Sequence, residues 1–264
     1  INVPISGGYL SATELSSSLT LSGTTSGVPD GSTVTVNVSD GVSTATHTSS
    51  VLNNTWKHVL SSTEVQALAE GTITVTADLS DASGNAATQA VASFLKDTLA
   101  PTLTINTPIS AGYLNASEVL SSLSLSGTAA GADGQSVTVT VGSGGSATTY
   151  TGVISSGSWS VSVPSSALQA LPQGTVTVRA NVSDAAGNPA SQASASFIKD
   201  TSAPTVTINT PISAGYLNAT EVTSSLVLTG GTSGLPNGSS VNVIVSDGTP
   251  ANLSLIHISE PTRP

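Results

Sequence analysis

Acidic side chains recur at fixed positions along this chain, although charged residues make up only 8% of its 264 residues. Three sets of acids return at matching points of repeated sequence blocks: Glu14, Glu118 and Glu221; Asp97 and Asp200; and Asp81 and Asp184. Carboxylates with Asn and Gly neighbours suit Ca²⁺, which takes about 6–8 oxygen ligands. The chain has no Cys and few His, so it offers little to zinc or copper. The pattern therefore makes Ca²⁺ the first hypothesis.

Each acid also has a purely structural interpretation. Asp81 and Asp184 lie in the segment Ser-Asp-Ala-x-Gly-Asn, where a carboxylate can cap a turn. Glu14 can be a solvated loop acid. Asp97 follows Lys96, and a surface ion pair between them would be worth less than ~1 kcal/mol. Both interpretations stay open at the level of sequence.

Catalysis has much weaker support in the sequence. His47 and His58 do not recur in the second repeat, where Tyr150 and Val161 occupy the corresponding stretches. No G-x-S-x-G, H-E-x-x-H, P-loop or G-x-G-x-x-G motif is present. Ser is so abundant that its chance proximity to a His carries no meaning. We therefore expect no enzyme, and two ordinary surface or strand histidines.

Composition excludes two further classes of partner. A net charge of −10 with only 5 Lys and Arg residues leaves no basic surface for phosphates, so we expect no nucleic acid. No apolar run approaches the ~18 residues of a membrane-spanning helix, so we expect no membrane insertion in this segment. The hydrophobic fraction of 38%, with little charge, argues against disorder.

The chain is built from internal repeats. A block running from Ile105 to Glu118 returns almost unchanged from Ile208 to Glu221, and a related block opens the chain at Ile1. The block beginning at Gly71 returns at Gly174, and the one beginning at Phe94 returns at Phe197. A period of roughly 100 residues exceeds that of solenoid repeats, at ~20–50 residues. It suits whole domains joined in series.

Each repeat has the pattern of an antiparallel β-sandwich. Leu19–Gly23, Val34–Val38 and Ile73–Ala77 alternate apolar and polar residues between turn formers, which predicts strands. About seven such strands in ~100 residues are typical of a sandwich. Trp56 and Trp159 occur once in each repeat and are predicted to fill its core. A sugar-stacking Trp is the alternative.

These blocks resemble the bacterial Ig-like repeats of large surface adhesins secreted through type I systems, the RTX-adhesin and biofilm-associated group. The residues that carry the resemblance are Asp97–Ile105, Gly112–Glu118 and Val182–Asn188. The resemblance extends from Ile1 to about Asn252. It implies an all-β fold of tandem Ig-like β-sandwich domains joined by short linkers, and an extracellular location on a bacterial cell surface. It also implies Ca²⁺ at the linkers.

The order of strands in a sandwich suggests where such an ion would bind. Glu14 follows the first strand and Asp97 ends the last strand, so both should lie at the C-terminal pole of repeat one. Asp184 precedes the last strand of repeat two, at that repeat's N-terminal pole. We expect these three acids to help ligate one Ca²⁺ at the first junction, with backbone carbonyls and Asp133 completing the set. Glu118 and Asp200 correspond to them at the next junction.

Two functions follow from this interpretation. The first is a structural extender that holds a distant binding domain away from the cell, stiffened by Ca²⁺, with the neighbouring repeats as partners and the host or surface ligand bound elsewhere. The alternative is a module that itself binds a glycan or protein, for which the stretch His47–His58 is the candidate. An extender needs reproducible joints rather than a unique pocket, and the near-identical junction blocks favour it.

The expected domain boundaries follow the blocks. Repeat one occupies residues 1–99 with a truncated first strand, repeat two occupies 100–202, and a partial repeat three occupies 203–252. The tail, 253–264, interrupts the third repeat and resembles a translated sequencing-library adapter. Its His257 and Arg263 are expected to have no function. Because the tail holds one Glu and one Arg, the net charge belongs to the repeats.

Overall fold

The computed structural model of the chain describes residues 1–259 apart from 3, 6, 144–145, 212–214, 237 and 247–252, and only the backbone of 253–259. The end of the expected third repeat, 247–252, and the last tail residues, 260–264, thus lie outside the described residues. The chain forms two compact units. One comprises 1–113 and 119–199, and the other comprises 114–118 and 200–264.

Repeat one is a β-sandwich of seven strands. They are β1 (Tyr9–Leu10), β2 (Leu19–Thr24), β3 (Thr33–Ser39), β4 (Thr44–Ser50), β5 (Thr55–Leu60), β6 (Gly71–Asp78) and β7 (Ala90–Lys96), with a short helix α1 (Ser62–Ala67) between β5 and β6. One sheet has the order β1-β7-β6-β3-β4, and β2 pairs with β5 to form the other. All neighbours are antiparallel except β1, which runs parallel to β7.

Alternation along the strands places the core between the two sheets. In β3 the side chains of Val34, Val36 and Val38 are buried, while Thr35 and Asn37 on the opposite face are partly exposed. This is the period of two that a half-buried strand requires. The predicted strands of repeat one are therefore confirmed.

Repeat two repeats the same plan. Its elements are β8 (Tyr113–Leu114), β9 (Leu123–Thr128), β10 (Ser136–Ser143), β11 (Ser146–Val153), β12 (Ser158–Val163), β13 (Gly174–Asn181) and β14 (Ala193–Lys199), with helix α2 (Ser165–Ala170). The sheets have the orders β11-β10-β13-β14-β8 and β9-β12. The prediction of all-β tandem sandwiches is confirmed for these two repeats.

Each Trp lies in the core and packs against a Gly on the neighbouring strand, where a larger residue would clash. Trp56 and Trp159 are 4% and 3% exposed, so the core interpretation is confirmed and sugar stacking is wrong. Gly23 pairs with Trp56 across β2 and β5. A Cβ atom on Gly23 would lie 2.6 Å from Trp56 Nε1. Gly is therefore required here for close approach of the indole to the backbone.

Gly23→Ala should destabilise repeat one by about 1–3 kcal/mol, because the added methyl group has to displace the buried indole. Thermal unfolding followed by Trp fluorescence measures this. Gly7→Ala is the control, since a Cβ there meets no atom within 4 Å. Equal unfolding temperatures for the two variants would contradict the packing argument.

The second compact unit carries two pairs of strands. They are β15 (Thr205–Ile208) with β16 (Gly230–Ser233), and β17 (Ser240–Ser246) with β18 (Leu253–Ser259). Val206 and Ile208 are exposed here, so the described residues of this unit do not enclose a core like those of repeats one and two. The segment expected to be a foreign tail forms strand β18 on β17; its origin in an adapter stays a prediction.

Candidate functional site

The loop between β13 and β14 folds tightly on its own side chains. The Asp184 carboxylate accepts hydrogen bonds from the backbone N–H of Asn188 at 2.8 Å and from its Nδ2 at 2.9 Å. The backbone N–H groups of Asp184 and Gly187 donate to the carbonyl oxygens of Asn188 and Asp184 respectively. Gly187 has φ +92°, which a residue with a Cβ rarely adopts. The turn-capping interpretation of Asp184 is therefore confirmed.

This loop also contacts repeat one through the Asn188 amide. Asn188 Nδ2 donates to the Asp97 carbonyl oxygen at 2.8 Å, and Asn188 Oδ1 accepts from the Ala12 N–H at 2.8 Å. Asn188 is only 1% exposed. One amide thus joins a loop of repeat two to both the start and the end of repeat one. The structure brings together the three segments that contain Glu14, Asp97 and Asp184.

Glu14 shapes the loop that presents Ala12. Its carboxylate accepts from the backbone N–H of Ser11 at 2.8 Å and from the Ser11 hydroxyl at 3.0 Å. The side chain therefore organises the 3₁₀ turn Glu14–Ser16. Glu118 and Glu221 make the same bond, to the N–H of Asn115 and Asn218, at 2.9 Å each. All three acids of this set support a turn.

Asp97 contributes its backbone directly to the junction. Its N–H donates to the Leu10 carbonyl, and its Oδ1 accepts a long 3.3 Å bond from the Leu99 N–H. Asp200 is arranged in the same way. Its N–H donates to the Leu114 carbonyl, and its Oδ1 accepts from the Ser202 N–H at 3.0 Å.

The suggested ion pair of Asp97 with Lys96 is wrong. Lys96 is 4% exposed, and its ammonium donates to the carbonyl oxygens of Val65, Gln66 and Leu68 at the end of α1. The side chain points into the fold rather than toward the surface acid. Lys199 does the same at α2, through the carbonyls of Gln169 and Leu171.

The loop of repeat one that contains Asp81 corresponds to the Asp184 loop of repeat two, but its outer face is exposed. The Asp81 carboxylate accepts from the N–H groups of Ser83 and Asn85 and from Asn85 Nδ2, at 2.8–2.9 Å. These hydrogen bonds lower the pKa of Asp81 below its ordinary value. The loop closes in the same way as the Asp184 loop, although Asn85 is exposed. The loop therefore forms without a partner domain.

The acidic side chains at the junction do not form a complete set of metal ligands in this arrangement. Among the residues that the structure describes, no group of three or more His, Asp or Glu side chains is placed to hold a metal ion. Asp133, suggested as a further ligand, accepts from the Gly157 N–H at 2.7 Å and so joins two loops of repeat two. The ligand role of the seven acids stays a prediction.

Sequence reasoning missed Asn188, the residue that makes the contact. The signal was present, because Asn85 and Asn188 close the same repeated segment. Carboxylates suggest a metal site, so the acids were considered first. The Asn amide is better suited to this contact, because it can donate and accept hydrogen bonds at the same time.

Comparison with known proteins identifies part of the chain. Residues 120–201 match the family described as bacterial Ig-like domain, and residues 164–253 match bacterial Ig-like domain (group 3). Such domains are non-enzymatic structural modules. No curated protein sequence matches the chain significantly. In the described part of the chain, no helix combines the length and apolar character needed to cross a bilayer.

Solved structures of adhesins are similar to the chain. A Ca²⁺-stabilised adhesin of an Antarctic bacterium that binds ice is 29% identical over 98% of this chain and 61% of its own, with a TM-score of 0.47. A 1.5-MDa bacterial ice-binding adhesin is 24% identical over 97% and 81%, with a TM-score of 0.48. A bacterial immunoglobulin-like domain of the M. primoryensis ice-binding adhesin is 35% identical over 38% and 96%, with a TM-score of 0.28.

Because all three TM-scores lie below 0.5, the assignment rests on the two family matches, which together extend over residues 120–253. The seven-stranded sandwich described above agrees with them. Over those residues, the chain is similar to bacterial Ig-like domains.

Proposed function

We propose that this chain is an extender segment of a bacterial surface adhesin, with joints between its domains that restrict bending. The observation that carries the proposal is the bidentate contact of Asn188 with Ala12 and Asp97. A spacer holds a distant domain away from the cell only if the joints between its own domains resist bending. A buried amide with a donor and an acceptor on the neighbouring domain provides such resistance.

The linker supports the proposal because repeats one and two fasten its two ends. In repeat one, Glu70 accepts from the N–H and the hydroxyl of Thr98 at 2.9 and 2.5 Å. In repeat two, Pro101 is buried and the Thr102 N–H donates to the Ala130 carbonyl at 3.0 Å. Pro101 also restricts the residue before it to extended geometry. Two residues, Leu99 and Ala100, separate the fastened parts.

The absence of Cys makes the joint directly measurable. Spin labels on Val91→Cys and Val153→Cys, both exposed in the native chain, would report the distance between repeats one and two. We expect one narrow distance distribution, with a width set by the labels themselves. A distribution many ångströms broader than that of two labels within repeat two would overturn the extender proposal.

We further propose that Ca²⁺ adds to this stiffness, on the cell surface after secretion by a type I route. The donor chemistry fits, since the three segments that meet at the junction carry the carboxylates of Glu14, Asp97 and Asp184, and the chain has a net charge of −10. Of the three acids at the first junction, Asp97 is the least engaged, since its carboxylate accepts one 3.3 Å hydrogen bond from the residues that the structure describes. Glu14 and Asp184 would join it by giving up hydrogen bonds that they accept within their own loops. Asp81, Glu118, Asp200 and Glu221 are the corresponding candidates elsewhere.

Millimolar Ca²⁺ should raise the unfolding temperature and narrow the label distances, because an ion bound only by the folded junction stabilises it by ~2.7 kcal/mol at a concentration of 100 Kd. Calorimetry in CaCl₂ and in EGTA measures this, with MgCl₂ as the ionic control. Asp97→Asn should weaken the response. An identical result in CaCl₂ and EGTA would refute the Ca²⁺ part, while the narrow distance distribution could still stand.

A further inference from the structure

Repeat one contains a pair of stacked histidines that bridges its two sheets. His47 lies on β4, the edge strand of the five-stranded sheet, and His58 lies on β5 of the two-stranded sheet. Their ring centroids are 4.4 Å apart, with an angle of 33° between the ring planes. The two rings thus form a contact where the edges of the two sheets meet.

Two ring nitrogens of this pair lack partners inside the protein. Nε2 of His47 and Nε2 of His58 are both buried and have no hydrogen bond among the described residues. The His47 side chain is 15% exposed. A buried polar atom without a partner is costly, and a buried charge is costlier. The site therefore tolerates neutral imidazoles better than charged ones.

Among the described residues, one carboxylate approaches the pair. From α1, Glu64 Oε1 lies 4.0 Å from His47 Nδ1. Asp40 lines a cavity of about 130 Å³ together with His47 and Glu64, but its carboxylate accepts hydrogen bonds from the backbone of Val42, Ser43 and Ala69.

The neighbouring strands add no compensating charge. Across the ladders, His47 is opposite Val36 of β3 and His58 is opposite Leu21 of β2. Lys57, the cation next to His58 on β5, alternates to the other face and is exposed. Lys96 is bonded to carbonyls at the end of α1. Within the described part of the chain, a proton on the pair would thus meet Glu64 as its one partly compensating charge.

Repeat two provides an internal comparison at the same register. Val139 is opposite Tyr150 and Leu125 is opposite Val161, so Tyr150 and Val161 take the places of the two histidines. Residues 100–202 contain no His. Glu64 also has no acidic counterpart, because Ala167 occupies its place in α2.

We propose that the His47–His58 contact is an acid-sensitive element that loosens repeat one, and not repeat two, in mildly acidic surroundings. Protonation of one ring places a charge against another imidazole in a poorly solvated contact, and separation of β4 from β5 relieves it. The extender would thus contain one domain whose stability depends on pH.

The direction of the effect follows from His58. Burial lowers the pKa of His58 below its ordinary value of 6.5, His47 lowers it further, and Glu64 opposes both. The unfolded chain therefore binds the proton more readily than the folded one. The stability from neutral His58 is fully present above pH 6.5 and is lost as the pH falls below it. The pKa of Glu64 is lowered from 4.5, so its own contribution changes only below that pH.

The two tryptophans allow each repeat to be followed separately in the full chain. In Trp159→Phe, fluorescence reports repeat one through Trp56, and in Trp56→Phe it reports repeat two through Trp159. Between pH 7.5 and pH 5.5 we expect the unfolding midpoint of repeat one to fall by about 5 °C. A ~100-residue domain shows a shift of this size when its free energy of unfolding falls by about 1 kcal/mol. The midpoint of repeat two should stay unchanged.

Variants taken from the chain itself test the assignment. The double replacement His47→Tyr and His58→Val transfers the pair of repeat two and should abolish the shift, while His257→Gln should leave it intact. If the double variant does not fold, Glu64→Gln should enlarge the shift, because the one opposing charge is removed. The proposal would be overturned if the unfolding midpoints of both repeats shifted equally with pH. It would also be overturned if the shift of repeat one survived the double replacement or were unchanged by Glu64→Gln.

Discussion

Replacing Asn188 with Ala should uncouple repeats one and two while leaving both folded. The variant loses the bonds to the Ala12 N–H and the Asp97 carbonyl, and it deprives the buried Asp184 carboxylate of the Nδ2 donor. Each unsatisfied buried group costs about 1–3 kcal/mol, so we expect the coupling between the repeats to fall by about 2–4 kcal/mol. The label distances between repeats should broaden, and the unfolding of the two repeats should separate.

The chain offers a matched control for this change. Asn85 makes the same bonds to Asp81 within its loop, but it is exposed and its hydrogen bonds among the described residues stay within repeat one. Asn85→Ala therefore removes the turn contribution alone. The difference between the two variants measures the contact across the junction. If both variants broadened the distances equally, or neither did, Asn188 would not be the residue that holds the joint.

The strands and repeats could be predicted because they depend on local pattern. Alternation along β3 and β6 is a property of consecutive residues, and the period of about 100 residues is visible without any structure. Local chemistry and the folded arrangement agree for these elements.

The junction could be located but its contacts could not. The strand order of a sandwich placed Glu14, Asp97 and Asp184 at adjoining poles, and the structure does bring their segments together. Which atoms bond across the junction depends on side-chain reach within a few ångströms, which spacing does not encode. Asn188 was hidden among many amides and hydroxyls, and its bonds connect residues 91 and 176 positions apart in the chain.

The two buried lysines were beyond sequence reasoning for a related reason. Lys96 and Lys199 each precede an acid at a junction, and a surface interpretation of such a pair is the natural one. Strand alternation instead directs each lysine inward toward a helix end. With two of the five cations buried, the surface of the repeats is more acidic than the composition suggests. That surplus of exposed carboxylate is what makes a divalent cation a reasonable partner.

Lys96→Met should destabilise repeat one by about 2–4 kcal/mol. The ammonium donates to the carbonyls of Val65, Gln66 and Leu68, at 3.4, 3.0 and 2.6 Å. Hydrogen bonds to a charged group are each worth about 1.5–3 kcal/mol, and helix C-terminal carbonyls favour a nearby cation. Met keeps the volume and apolar contacts of the lysine stem, so the loss reports the unbonded carbonyls rather than a cavity.

Chemical denaturation followed through Trp56 in the Trp159→Phe background measures this loss. Lys57→Met is the control, because Lys57 is exposed and surface substitutions usually change stability by less than about 0.5 kcal/mol. Since β7 leads directly from Lys96 into Asp97, the variant should also broaden the label distances across the junction. A Lys96→Met protein as stable as Lys57→Met would show that the carbonyls of α1 do not need the ammonium. The end of β7 would then be fixed by its strand pairing alone.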